Sequence, residues 1–128
     1  MNIPENLKYT KDHEWARKEG ASVVVGVTDV AQHKLGDIVF VELPAVGSKV
    51  KAGAAFGTVE SVKAVSDLFA PISGDVAEVN AELANTPDAV NKDPYGDAWM
   101  IKVKPANPAE LDKLLSPADY RKLCESEG

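Results

Sequence analysis

The chain has a single cysteine, Cys124, so no disulfide can close within it. That cysteine and the two histidines, His13 and His33, are far apart in sequence, and no metal-ligand spacing appears. Basic side chains are the minority, 14 against 20 acidic, for a net charge of −6. With neither a basic patch nor aromatic–basic interleaving, nucleic acid is disfavoured as a partner. No apolar run approaches the length that spans a membrane. The N-terminus, Met1-Asn2-Ile3-Pro4-Glu5, lacks the basic and apolar regions of a secretory signal and the Arg-rich character of a transit peptide. The expected location is therefore cytoplasmic, or the mitochondrial matrix if the chain is a processed one. There is no Ser-His-Asp or Cys-His order and no phosphate-cradling glycine loop, so no catalytic site is expected.

What is present is an ordinary globular composition: 128 residues, 45% apolar and 27% charged. That is enough for one domain, 1–128, with a core of its own. Its acidic surface suits partners with basic docking faces. Tyr9-Thr10-Lys11-Asp12-His13-Glu14-Trp15 leads into a strand through Arg17, and Gly20 turns it back into a partner strand over Ser22–Val27. Thr28 has the form of an N-cap, with Asp29 at the positive end of a helix over Asp29–Leu35 and Gly36 as its left-handed C-terminal cap. Ile38-Val39-Phe40-Val41 is apolar on both faces and predicts a buried strand. Short strands over 49–51 and Gly74–Val79 flank a central hairpin, and 80–96 reads as loop with at most short helical turns.

Trp99, Ile101 and Val103 alternate with Met100, Lys102 and Lys104, predicting a closing strand with one buried face. Asn107-Pro108-Ala109-Glu110 and Ser116-Pro117-Ala118-Asp119 each place a capping residue before a proline and an acid two residues later. They predict a C-terminal helical segment, about 107–125, packed through Leu111, Leu114, Leu115, Tyr120 and Leu123. The expected class is mainly β with short helices. Trp15, Phe40, Phe56, Phe69 and Trp99 are expected in the core. His13 is expected as a strand residue satisfied by its neighbours, and His33 on a helix surface.

The hairpin spans 54–70. Its arms, 54–60 and 64–70, are rich in Ala, Val, Phe and Thr without helical spacing, and Lys63 sits between them in Glu60-Ser61-Val62-Lys63-Ala64-Val65-Ser66-Asp67. A lysine at such a tip is a compact charge on a long stem, and its amine can form an amide with a carboxylic-acid cofactor. On spacing alone it is equally an ordinary surface lysine. Pro44-Ala45-Val46-Gly47 and Pro71-Ile72-Ser73-Gly74 repeat a Pro-x-x-Gly pattern on either side, suggesting two halves about a rough twofold axis.

This pattern resembles the lipoyl and biotinyl carrier domains. Val62 and Ala64 stand where biotin carriers usually have methionine, which favours the lipoyl version. Over nearly its whole length the chain resembles the H-protein family of the glycine cleavage system. The resemblance rests on Tyr9–Trp15, on Val27–Pro44, on Glu60–Ala64 and on Val90-Asn91-Lys92-Asp93-Pro94-Tyr95-Gly96 with Trp99. Ala98 departs from the glycine the family often has there, away from any chemistry.

The resemblance implies a flattened barrel-sandwich hybrid of two antiparallel sheets, with lipoic acid on Lys63 as a lipoyl amide. It implies a non-catalytic shuttle that accepts an aminomethyl group from the PLP-dependent glycine decarboxylase. The group passes to the tetrahydrofolate-dependent aminomethyltransferase, and dihydrolipoamide dehydrogenase reoxidises the carrier. A lipoate-attaching enzyme must recognise the hairpin, with Glu60, Val62, Ala64 and Gly74 as candidates for that recognition or for ordinary turn and strand packing. A loaded arm ends in a cationic amine, which is costly to desolvate without a carboxylate, so Glu14 and Asp67 are candidate contacts or simply solvated acids. The alternatives are a lipoyl donor to other proteins, a lipoyl domain of a 2-oxo acid dehydrogenase complex, a biotin carrier, and an unmodified β scaffold.

Overall fold

The four valines of Ser22–Val27 set the layering of the molecule. The structure is a computed structural model and describes residues 2–127. Successive side chains on a strand face opposite ways. Val23, Val25 and Val27 therefore enter one buried cluster, and Val24 enters another with Tyr9, Trp15 and Tyr120. The strand is covered on both faces, which is why it reads as continuously apolar. Burying each such side chain contributes about 1.5–3 kcal/mol.

The elements are β1 (Lys8–Tyr9), β2 (Glu14–Glu19), β3 (Ser22–Val27), α1 (Asp29–Leu35), β4 (Ile38–Glu42), β5 (Lys49–Val50), β6 (Ala55–Ser61), β7 (Val65–Phe69), β8 (Gly74–Val79), α2 (Ala89–Lys92), β9 (Ile101–Pro105) and α3 (Pro117–Ser126). Tight 3-10 turns cover Ala81–Ala84 and Pro108–Lys113. One sheet has six strands in the order β1-β2-β3-β9-β8-β5 and the other three, β4-β6-β7. Every ladder is antiparallel. The two sheets enclose a core that includes Ala16, Val25, Val59, Leu68, Ile72 and Val76. On the outer side of the larger sheet, α3 buries Tyr120, whose ring stacks on Tyr9 at 4.5 Å.

The side-chain N-caps form as expected. Thr28 Oγ1 accepts from Ala31 N–H, Asn107 Oδ1 from Ala109 N–H and Ser116 Oγ from Asp119 N–H. The Gly36 N–H closes α1 on the Gln32 carbonyl at φ +83°, although its ψ of −157° lies outside the left-handed helical well.

Several expectations are corrected. Val39 and Phe40 are exposed, because a bulge between Ile38 and Phe40 turns two successive side chains outward. Phe69 and Trp99 are half-buried; the ladder of β9 begins at Ile101, and Met100, fully buried, precedes it on the Val25 carbonyl. Trp99 instead carries the Lys102 ammonium 5.1 Å from its ring centre. The two Pro-x-x-Gly segments are not equivalent: Gly47 is exposed at φ +90°, whereas Gly74 is buried in β8 without a positive φ. His13 lies in the turn before β2 at φ +69°, satisfied by Tyr120 OH at 2.7 Å and Glu127 at 2.9 Å.

Candidate functional site

The β6–β7 hairpin reverses at Val62-Lys63-Ala64 without a glycine. Ser61 performs the reversal. Its N–H donates to the Ala64 carbonyl at 2.8 Å, and its buried hydroxyl oxygen accepts from the N–H groups of Lys63 and Ala64 at 3.3 and 3.1 Å. Serine closes a turn in this way by substituting for a backbone partner. The tip is also fastened sideways, with Val62 N–H donating to the Asp37 carbonyl at 3.0 Å. Lys63 is left exposed on a fixed backbone, its stem over Gly36. Among the described residues it has no ion-pair partner.

Register defines the surface around it. Phe40, Glu60 and Val65 lie opposite one another across β4, β6 and β7, and Glu42, Thr58 and Asp67 form the next row on the same face. Val62 is 70% exposed, Val65 67% and Phe40 48%. Exposed apolar side chains thus lie near the lysine, with Glu60 between Phe40 and Val65 and with Glu42 and Asp67 in the next row. Apolar groups left in water beside a polar rim mark an interaction surface more often than a folding need.

Glu14 occupies a different environment. It is 2% exposed at the start of β2, and its carboxylate bridges the sheets by accepting from Thr10 Oγ1 at 2.6 Å and from Phe69 N–H on β7 at 3.3 Å. Burial pushes its pKa up to about 7, against the lowering effect of those two hydrogen bonds. Its contact on β7 is two residues from Asp67, which is exposed. Asp67 in turn lies four residues along the chain from Lys63, on β7. Of the other candidates, Glu60, Val62 and Ala64 surround the tip. Gly74 does not: it sits at the base of the hairpin, where a Cβ would run into the Lys104 carbonyl. A cavity of about 530 Å³ between α1 and α3, walled by Val30, His33, Arg121 and Cys124, does not include Lys63.

The sequence profile described as Glycine cleavage H-protein matches residues 7–127. The chain belongs to that family. It is similar to the glycine cleavage system H protein of Carboxydothermus hydrogenoformans, 59% identical over 98% of this chain and 97% of that one. The mitochondrial H protein of Flaveria trinervia is 56% identical over 98% of this chain and 76% of its own length. A crystal structure of the H protein of Mycobacterium marinum superposes with a TM-score of 0.86 at 45% identity, covering 94% of this chain and 97% of that one. As a member of the H-protein family the chain is a carrier subunit rather than a catalyst.

Sequence reasoning named Ser61 only as part of a motif and placed Phe40 in the core. A serine two residues before a tip lysine carries a legible turn signal. The bulge that exposes Phe40 has none in the local pattern. Val65 and Asn91 stand in the sequence only inside motifs, and Gly36 only as a helix cap, because their further roles depend on which elements meet in space.

Proposed function

We propose that the chain bears a lipoyl group in amide linkage to Lys63 Nζ and carries an aminomethyl group from glycine decarboxylase to the tetrahydrofolate-dependent aminomethyltransferase, dihydrolipoamide dehydrogenase restoring it. The observation that carries this reading is a lysine without an ionic partner among the described residues, held on a turn built by Ser61 and Asp37 rather than by glycine. When bound, the cofactor supplies the disulfide sulfur that accepts and releases the one-carbon unit.

The chain's own residues do the rest. Lys63 provides the tether, and Ser61 keeps its backbone in one conformation for the lipoate-attaching enzyme. Phe40, Val62 and Val65 offer apolar area to docking enzymes, while Glu42, Glu60 and Asp67 select partners with a basic rim. Glu14 and Asp67 are the carboxylates that would meet a cationic amine at the end of a loaded arm: Asp67 is exposed to it, and Glu14 would have to give up the proton that burial favours. A cation beside Glu14 lowers its pKa again, so docking and deprotonation support each other. Given the family of its relatives, the proposed location is the compartment of those three enzymes.

The test is the mass of the intact chain after co-expression with an active lipoate-attaching enzyme and lipoate. One lipoyl mass is expected, mapping to the peptide that contains Lys63, and none on Lys63→Arg. A lipoyl mass retained by Lys63→Arg, or a biotinyl mass on the parent, contradicts the proposal.

A further inference from the structure

The turn that follows α1 is closed by one side chain. Asn91 donates from Nδ2 to the Gly36 carbonyl at 2.8 Å and to Gln32 Oε1 at 3.1 Å, and its Oδ1 accepts from Ile38 N–H at 2.9 Å. Both ends of the turn 36–38 are therefore bound to the same amide. Its neighbour Val90 is fully buried in the inter-sheet core, so Asn91 is delivered by a residue with no freedom to move. The turn holds the hairpin tip in two adjacent places. The Asp37 carbonyl takes the Val62 N–H, and the Lys63 stem lies against Gly36, where a Cβ would stand 3.4 Å from Lys63 Cε and 3.9 Å from Nζ.

We propose that Asn91 is a positioning residue for the carrier lysine: through Gly36 it maintains a side-chain-free seat under the Lys63 stem and so fixes where Nζ is offered. This rests on the lysine-carrier reading above. An unsupported lysine stem loses rotamer entropy when an enzyme immobilises it. A stem already resting on a fixed surface has lost part of that before docking. The seat must lack a side chain at residue 36, since anything longer than a methyl would displace the stem. It must also be rigid, because its position is passed directly to Val62 and Lys63. Asparagine suits the bracket because the three contacts need two donated protons and one acceptor. An aspartate of the same shape keeps the acceptor alone and faces two oxygens with a charge.

The experiment uses the full-length chain. Asn91→Asp is compared with Asn80→Asp, a buried amide whose Nδ2 likewise donates to two oxygens, the carbonyls of Asp97 and Trp99. Apparent kcat and KM of a lipoate–protein ligase are measured for each chain, together with the ¹³C relaxation of Lys63 Cε in lysine-labelled apo protein. Asn91→Asp is expected to lower kcat about tenfold with KM little changed, the signature of a misplaced reacting group behind an intact docking face. Lys63 Cε should then become as mobile as that of exposed Lys11. Asn80→Asp should change neither quantity, even where both variants lower the melting temperature.

The proposal is overturned if the parent is lipoylated while Asn91→Asp leaves kcat and Lys63 Cε mobility as they were. It is equally overturned if Asn80→Asp gives the same loss. A parent that accepts no lipoate sinks the carrier reading instead, and the relaxation comparison still decides the seat. Should Asn91→Asp fail to fold, Gly36→Ala and Gly53→Ala replace it. Both glycines have φ +83°, so both variants bear backbone strain, but only the methyl at residue 36 meets Lys63. A change in the Lys63 Cε resonance is expected in Gly36→Ala alone, and its absence there overturns the seat.

Discussion

Two hairpins of this chain reverse by opposite means. Between β2 and β3, Glu19 faces Ser22 across a turn of Gly20 and Ala21. Gly20 takes φ +61°, and a Cβ built on it would meet nothing within 4 Å. That turn is solved by backbone freedom, and its tip lies in open space. Between β6 and β7 the tip residues Val62, Lys63 and Ala64 keep ordinary negative φ. The freedom that glycine would supply is replaced by the Ser61 hydroxyl and the Asp37 carbonyl. The first arrangement only returns the chain. The second holds a chosen side chain at a defined point, and its cost is a loop, a helix end and a buried serine committed to one lysine.

Glu14 ties the two hairpins together, and removing its charge should have the largest energetic effect. Its folded pKa of about 7 lies above the ordinary 4.5, so the folded state binds the proton more tightly. The stability this contributes is fully present below pH 4.5 and is lost as pH rises through 7. The whole gap corresponds to about 3 kcal/mol. Denaturant unfolding of the parent should therefore weaken between pH 5 and pH 8, and Glu14→Gln should lack that component of the slope. A parent whose stability is flat over this range means that Glu14 is not held in the buried, neutral-favouring state described.

Altering one turn at a time comes next. Gly20→Ala, placed at a positive φ, should cost about 1 kcal/mol and leave lipoylation at the parental rate. Ser61→Ala removes acceptors from two backbone N–H groups and should also cost about 1 kcal/mol. It should slow lipoylation as well, read by intact mass against time. Equal lipoylation rates for the two variants would erase the distinction between a returning turn and a presenting one. Smaller still in stability, Val65→Ser on the exposed row should stay within about 0.5 kcal/mol of the parent by thermal unfolding. Its KM as a substrate of the partner enzymes should rise, and an unchanged KM would remove this face from the docking surface. The least effect is expected from the modification itself, since Lys63 is exposed and belongs to neither core cluster. Their melting midpoints should nearly coincide, and a large gap would show the arm buried in the fold.

Much of this architecture is legible in the sequence because local signals agree with tertiary need. Thr28, Asn107 and Ser116 cap where a polar residue before a helical run should cap, and Gly20 turns where a positive φ is required. Lys63 stands out because no apolar periodicity explains it. What the sequence conceals depends on pairing between distant segments. Phe40 looks like core until the bulge beside Ile38 faces it outward. Trp99 looks like a strand residue until the ladder is seen to begin at Ile101. Gly74 looks like a companion of the tip because it is close in sequence, yet the hairpin carries it to the opposite end. Asn91 looks like a loop polar residue until α2 brings it against the end of α1.

Carrier function in glycine cleavage is tested by exchange of labelled bicarbonate into the carboxyl group of glycine with purified glycine decarboxylase. On the proposed carrier reading, the decarboxylase runs its reaction in reverse while the aminomethyl group waits on the lipoyl arm. Incorporation should rise in proportion to added lipoylated chain and stay at the blank with the apo chain or Lys63→Arg. Exchange supported equally by the apo chain, or none from the lipoylated chain where a lipoylated H protein of Carboxydothermus hydrogenoformans supports it, would contradict the assignment of Lys63 as the carrier residue.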